Sequence, residues 1–389
     1  MRLTAVAALT AAASTMVATA VPASAASVTG SRPTSTLQRD ADAIRDLGVT
    51  GVQARVTGPD GRSTVVTSGV ADVRTKRPVP RDGRFRIASV TKTFTATAVL
   101  QLVGEGRLSL DDTVEHVLPG VVKGNGNDGR KITIRHLLQH QSGLHDDLPG
   151  FTSPADYYRK RFERHTPEDL VARAMKHRPD FAPGTKWAYC NTGYLLLGMV
   201  VQKITGNPWH VQVRDRILRP LGMKDTYYPG EATGIRGPHA KGYHLFQTGG
   251  LIDATENRDG SWAGPAGGLI STTADLSRFF RALDSGRILR PAQLKEMRNG
   301  IPVQGELADI WPGAKDGLGL FSRPLSCGGR YYFHGGDILG YKTRNGVTAD
   351  GRRSVVVSMS TMLEDTDKHA IQQENAAANL VDHALCAKR

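Results

Sequence analysis

Four residues in this chain could form an acyl-transfer centre if folding brought them together. Ser89 and Lys92 stand three positions apart in "RIASVTKTFTATAVLQLV" (Arg86–Val103), on one face of an expected helix start. Tyr189 and Asn191 flank Cys190 in "APGTKWAYCNTGYLLLG", in a loop just ahead of another expected helix. A serine hydroxyl becomes a nucleophile when a neighbouring group takes its proton. A lysine desolvated by a core can lose its own proton and serve as that base. The free N–H groups and positive dipole end of a helix start favour the oxyanion that acyl transfer creates. A phenol can relay the proton to a leaving group, and an amide can hold the lysine or a substrate carbonyl.

Taken singly, each pair has a plainer use. Ser89 could cap its helix and Lys92 could snorkel to the surface. Asn191 could cap the helix after it, with Tyr189 packed on the core. A third stretch, "RYYFHGGDILGY", places His334, Gly335 and Gly336 after an aromatic, β-rich run, where a strand is expected. Glycine in a strand often marks close approach by a ligand or another chain. A simple turn at a strand end is the plainer use.

The elements that would position these groups follow from periodicity. The residues after Lys92 are almost uniformly apolar, so that helix is expected to be buried on all sides. "TLQRDADAIRDLG" has helical spacing and stops at Gly48. "VTGVQARVTGPDGRSTVVTSGVAD" reads as strand, turn at Pro59-Asp60-Gly61, and strand. "TIRHLLQHQSGL", "TPEDLVARAMKH", "NTGYLLLGMVVQKITG" and "STTADLSRFFRAL" read as helices. "GYKTRNGVTADGRRSVVVSMST" reads as a hairpin turning at Asp350-Gly351, and "AIQQENAAANLVDHAL" as a closing helix. The expected fold is α+β: an antiparallel sheet domain (36–88 plus 251–389) flanked by terminal helices, with an inserted mostly helical domain (89–250).

The 389 residues have ordinary globular composition, 39% hydrophobic and 22% charged. Arg2, an Ala/Thr-rich apolar run and Ala23-Ser24-Ala25 read as a secretory signal peptide (1–25), followed by a polar linker (26–35). No other stretch is apolar enough to span a bilayer, so a secreted protein is expected, free or associated with the cell wall. In an oxidising compartment two of the three cysteines could pair. Cys327 and Cys386 are the better candidates, because Cys190 lies inside a motif; three reduced thiols is the alternative. The net charge of +13 comes from scattered Lys and Arg without a nucleic-acid module. It fits attraction to anionic cell-wall polymers, or a solvated basic surface with no partner.

In order and spacing, S-x-x-K (Ser89, Lys92), Y-x-N (Tyr189, Asn191) and H-x-G (His334, Gly336) resemble the serine β-lactamase and penicillin-binding-protein superfamily. The class C β-lactamase-like branch is nearest, particularly its secreted D-alanyl-D-alanine carboxypeptidases. "ITIRHLLQHQSGL", "AGGLISTTADLSRFF" and "LSCGGRYYFHGG" are similar to that branch too. The resemblance covers about Thr36 to Cys386. It implies a β-lactamase-like fold and a Cys327–Cys386 disulfide. It implies Ser89 as acylated nucleophile, Lys92 as its base and Tyr189 as proton shuttle. Asn191 would bind the substrate amide, and His334 stands where many relatives have lysine. Gly336 would lie against the substrate, Trp262 would wall the pocket, and the backbone N–H groups of Ser89 and Asp337 would form the oxyanion hole. No cofactor or metal is implied. The function it implies is a secreted serine acyl-hydrolase of the D-alanyl-D-alanine carboxypeptidase type, with a D-aminopeptidase or D-amino-acid amidase, an esterase or a β-lactamase as alternatives. The substrate would be a D-amino-acid peptide, amide, ester or β-lactam; the competing class is a penicillin-sensing or wall-binding protein without turnover.

One departure bears on the substrate. Carboxypeptidases of this kind read H-T-G-T, where Gly335 and Asp337 stand here, and Phe321 occupies the place expected of a carboxylate-binding arginine. A substrate carboxylate about 4 Å from Asp337 would be repelled by roughly 4 kcal/mol, unless Lys342, Arg344 or Arg323 neutralises it. Other titratable groups have plainer uses. His136, His140, His145, Asp146 and Asp147 lack a zinc-binding pattern, Ser142 lacks a nucleophile elbow, and Cys190 reads as a small filler lining the site.

Overall fold

The alternation on either side of Pro59-Asp60-Gly61 does produce a hairpin, and it begins the central sheet. The computed structural model describes residues 35–387, apart from the side chains of 259–261. The expected signal peptide and nearly all of the linker lie outside these residues. In the sheet, β1 (Gly51–Thr57) pairs with β2 (Ser63–Gly69), Ala54 opposite Val66. The other members are β3 (Ile301–Pro302), β4 (Lys315–Asp316), β5 (Phe321–Pro324), β6 (Arg330–Phe333), β7 (Gly336–Ile338), β8 (Tyr341–Thr348) and β9 (Ser354–Met359). They run in the order β2-β1-β9-β8-β6-β5-β4-β3, with β7 also on β8. Every pairing among them is antiparallel.

Two-residue alternation decides what each face of the sheet meets. Val52 and Ala54 of β1 join Ala41 and Ile44 of α1 (Thr36–Asp46) and Leu380 of α5 (Asp367–Cys386) in one apolar cluster. Thr57 points the other way, and its Oγ1 lies 2.9 Å from Ser277 Oγ on α4 (Thr273–Asp284). The terminal helices thus cover one face and α4 the other. Two further helices form the core beyond α4. In α2 (Thr91–Gly104) nearly every side chain is buried, as its apolar run predicts. Beside it runs α3 (Asn191–Thr205), ended by Gly206 at φ +72°.

Two elements differ from expectation. Only Ile134–Leu138 of "TIRHLLQHQSGL" is helical. His140 takes a φ of +55°, which a right-handed helix excludes. The strand expected through His334 is interrupted, because residues 334–335 separate β6 from β7.

Cys327 and Cys386 form a disulfide with Cα atoms 5.7 Å apart, tying the β5–β6 turn to the end of α5. The loop it closes spans 59 positions. Replacing both cysteines by serine is expected to lower stability by about 4 kcal/mol in the chain-entropy model. Denaturant melts of the oxidised and substituted proteins measure the difference.

Candidate active site

Ser89 sits in a short 3-10 turn, Ala88–Val90, immediately ahead of α2. It is not a cap: the N-cap residue of α2 is Val90, and no side chain among the described residues caps that end. Ala88 just before it holds a φ of +49°. A non-glycine residue there stores about 1 kcal/mol or more, which the surrounding packing sustains. Ser89 lines a cleft of about 1020 Å³.

Lys92 does not snorkel; its side chain is 0% exposed. Its Nζ donates to Ser89 Oγ at 3.1 Å, Asn191 Oδ1 at 2.7 Å and the Ala266 carbonyl at 2.7 Å. Burial pulls its pKa down to about 7, against the opposing influence of Asp146 and Cys190. That value matters for the hydrogen-bond count. An ammonium has three N–H donors; a neutral amine has two, plus a lone pair. Asn191 and Ala266 offer only oxygens and take the two donors, so the lone pair of the neutral amine falls on Ser89.

Tyr189 lies beside this pair, its ring centroid 4.9 Å from Lys92 Nζ. Burial raises its phenol well above the ordinary value, with a hydrogen bond to Ser89 pulling weakly the other way. At neutral pH it is therefore a proton donor and not a phenolate. His140 stacks behind it at 4.4 Å between ring centroids and accepts the Cys190 N–H at Nδ1, 3.1 Å. His140, two residues beyond the end of the helix Ile134–Leu138, thus holds the Tyr189–Asn191 segment. Cys190 differs from expectation. It is buried behind the cleft, its Sγ on the Leu144 carbonyl at 3.4 Å, and burial pushes its thiol pKa up to about 12.

Asp146 is the residue that motif reading missed. Its Oδ1 accepts the backbone N–H groups of Asn191 (2.9 Å) and Thr192 (3.0 Å), so it caps α3 from a distant loop. Its Oδ2 accepts Asn191 Nδ2 at 2.8 Å. This fixes the amide orientation and leaves Asn191 Oδ1 facing Lys92. Losing this cap and the charged bond to the amide is expected to destabilise Asp146→Ala by about 2 kcal/mol. A misplaced Asn191 should also lower kcat about tenfold. A thermal melt and steady-state kinetics on one preparation separate the two effects.

The third motif lines the opposite wall. His334 is buried with Nδ1 2.6 Å from the Gly335 carbonyl, and its Nε2 has no protein partner among the described residues. Burial first, then the neighbouring Lys92, hold its pKa down at about 3, so the ring is neutral. A side chain at Gly336 is impossible: its Cβ would lie 2.2 Å from the Ile87 carbonyl. This contact presses β7 against the turn that carries Ser89. Gly335 and Trp262 also line the cleft, while Phe321 is buried against His334, 5.1 Å between rings.

Asp337 is not the bare charge that its position suggested. Arg344 grips it with two bonds, Nη1–Oδ1 2.9 Å and Nη2–Oδ2 3.0 Å, and Lys342 stands 3.7 Å away. Burial would raise its pKa, but these two cations prevail and lower it. The expected repulsion is therefore largely cancelled within the protein. The cations are not free either. Glu374 of α5 accepts Arg344 Nε at 2.9 Å on both oxygens, also accepts Nη2, and lies 3.3 Å from Lys342. Trp311 Nε1 donates to the same carboxylate at 2.8 Å. Two acids and two bases form a closed, neutral cluster.

Among the described lining residues, Lys342 and Arg344 are the cations, set against the carboxylates of Glu306, Asp309, Asp337, Glu364 and Glu374. A basic protein thus carries an acidic cleft. Exposed Ile310 and Ile371 add an apolar rim.

The profile of the Beta-lactamase family matches residues 37–379. Penicillin-binding protein 4 of Amycolatopsis lactamdurans is 35% identical over 270 residues, 67% of this chain and 67% of that protein. The structure of a D-stereospecific amidohydrolase from Streptomyces sp. is similar at a TM-score of 0.78 and 38% identity, covering 87% of this chain and 97% of that one. The D-amino acid amidase of Ochrobactrum anthropi SV3, complexed with L-phenylalanine amide, is similar at 0.77 and 29% identity, covering 90% and 97%.

Proposed function

Because the chain belongs to the beta-lactamase family of serine hydrolases, we propose that it hydrolyses D-amino-acid amides or esters through an acyl-enzyme on Ser89. Lys92 takes the hydroxyl proton as Ser89 Oγ attacks the carbonyl carbon. The oxyanion meets the backbone N–H groups of Ser89 and Asp337. Tyr189 hands a proton to the leaving amine or alcohol as the C–N or C–O bond breaks, and regains one from Lys92, which returns to the neutral amine. Water then attacks the ester on Ser89, releasing the acid and returning the proton to the serine oxygen.

The observation that carries the acyl-transfer chemistry is the buried amine of Lys92, 3.1 Å from Ser89 Oγ with its other bonds directed at oxygens. The preference for an amide or ester rests on the closed Asp337–Arg344–Glu374–Lys342 cluster, which leaves no spare cation for a terminal carboxylate. The solved neighbours named as a D-stereospecific amidohydrolase and a D-amino acid amidase support it. A carboxypeptidase of peptides ending in free D-Ala-D-Ala is the second reading, favoured by the relative named penicillin-binding protein 4.

Matched D-alanyl substrates ending in free acid, amide and ester separate these readings. Amide and ester are expected to turn over at least about tenfold faster than the acid, judged from the unmet charge alone. A penicillin probe followed by mass spectrometry should place the adduct on Ser89, and Ser89→Ala should carry none. An adduct on another residue would sink the mechanism. A preference for the free acid would favour the carboxypeptidase.

A further inference from the structure

A second depression, of about 600 Å³, shares no lining residue with the cleft. It lies on the α4 face of the sheet, between the β1–β2 turn at Gly61, the carboxyl end of α4 and the β8–β9 turn at Gly351. Arg55, Arg278, Arg281, Arg287 and Arg352 line it, with Asp350 as the carboxylate among the described lining residues. Three of these arginines are partnered: Arg55 with Asp82 (2.6 Å), Arg278 with Asp275 (2.8 Å) and Arg352 with Asp350 (2.7 Å). Arg281 and Arg287 make no ion pair with a carboxylate among the described residues. Arg281 lies in the last turn of α4, where a cation offsets the helix dipole. Arg287 lies beyond the helix and has no such use. The floor is hydroxylic: Thr57 Oγ1 is 2.9 Å from both Ser63 Oγ and Ser277 Oγ.

Arginine forks and hydroxyl donors are the groups that match the oxygens of a phosphate. The depression has more room than one phosphate fills, and several arginines are spread around it. No aromatic side chain lines it among the described residues. Nothing there can stack a base, as binding of single-stranded nucleic acid requires. We propose that this depression binds consecutive phosphodiesters of a polyol-phosphate polymer, and that it does so independently of the acyl-transfer cleft.

The test measures binding of a synthetic glycerol-phosphate oligomer to the full chain over a range of salt. Contact with about three phosphates gives a log–log salt slope of about −2. Arg281→Ser with Arg287→Ser is expected to weaken binding about tenfold or more. Lys123→Ser with Lys176→Ser removes the same charge from exposed positions elsewhere and should leave binding within about twofold. Turnover of a small ester in the cleft should be unchanged in both. Because Arg281 Nε also donates to the Gly351 carbonyl, Arg287→Glu alone provides a second variant that leaves that contact intact, and it too should weaken binding. Equal losses in the arginine and lysine variants would mean diffuse attraction to a +13 protein and would overturn the site. So would equal affinity for single-stranded DNA of the same charge, for inorganic phosphate alone, or no binding at all.

Discussion

Replacing Lys92 with methionine is expected to slow acylation of Ser89 by about 10³- to 10⁴-fold, the upper range for losing a general base. Methionine keeps most of the side-chain volume at a fully buried position, so the fold should survive. It also strands the Ala266 carbonyl and Asn191 Oδ1, each at a cost of about 1–3 kcal/mol. Against that, it relieves the burial of an ionisable amine. The pH dependence distinguishes a base from a structural residue. With a pKa of about 7, Lys92 is neutral above that value and protonated below it. In the wild type kcat/KM should therefore reach a plateau above about pH 7 and fall tenfold per unit below it. Lys92→Met should lose this limb altogether. Survival of the limb in the variant would assign it to another group.

The same burial has a sign in stability. A lysine whose folded pKa lies below its unfolded value binds fewer protons when folded. The unfolded state thus holds the extra proton between about pH 7 and the ordinary lysine value, and stability rises with pH through that window. Below the window the full penalty is present. Lys92→Met should flatten this slope in denaturant melts, a readout that does not depend on activity.

The second large effect concerns substrate choice. Glu374→Gln should raise the free-acid to amide ratio of kcat/KM by about a hundredfold. The cluster of Asp337, Glu374, Lys342 and Arg344 is neutral; removing one carboxylate leaves it with one positive charge. A substrate carboxylate about 4 Å from that charge gains roughly 4 kcal/mol at an effective dielectric near 20, and screening at the cleft mouth takes part of it back. Glutamine retains an oxygen for Trp311 Nε1, so its hydrogen bond need not be lost. If the ratio moved less than about twofold in a folded, amide-active variant, charge closure would not be the basis of the preference.

Comparison of chain and structure shows which information was local. The convergence of Ser89, Lys92, Tyr189 and Asn191 was legible because acyl transfer restricts residue types at short spacings, and three short motifs in order are rarely accidental. The helices 36–46, 191–205 and 273–284 were legible from periodicity, since each buries one stripe or all of its surface. The end of the helix Ile134–Leu138 was not, because the positive φ of His140, a non-glycine residue whose Nδ1 accepts the Cys190 N–H, has no local signature. The closing of the Asp337 charge was seen only as a set of options, Lys342, Arg344 or Arg323. Register decided it: Asp337 lies opposite Lys342 on β8, and Arg344 lies two residues on, on the same face. Asp146 and Glu374 carried no signal at all. Each acts on a motif residue far away in sequence, and a lone carboxylate in a loop or helix has no distinguishing spacing.

Ser89 sits in the short turn ahead of α2, whereas Glu374 belongs to the last helix, α5. On a ribosome adding about 5–20 residues per second, roughly a quarter of a minute to a minute separates them. Until Glu374 is made, a nascent chain carries its serine and lysine without one carboxylate of the cluster around Arg344. The charge balance of that cluster is thus completed only late in synthesis, once Glu374 is made. A stop codon ahead of Glu374 would leave Ser89, Lys92, Tyr189, Asn191 and His334 readable in the gene while removing one carboxylate of the cluster on which the proposed preference rests.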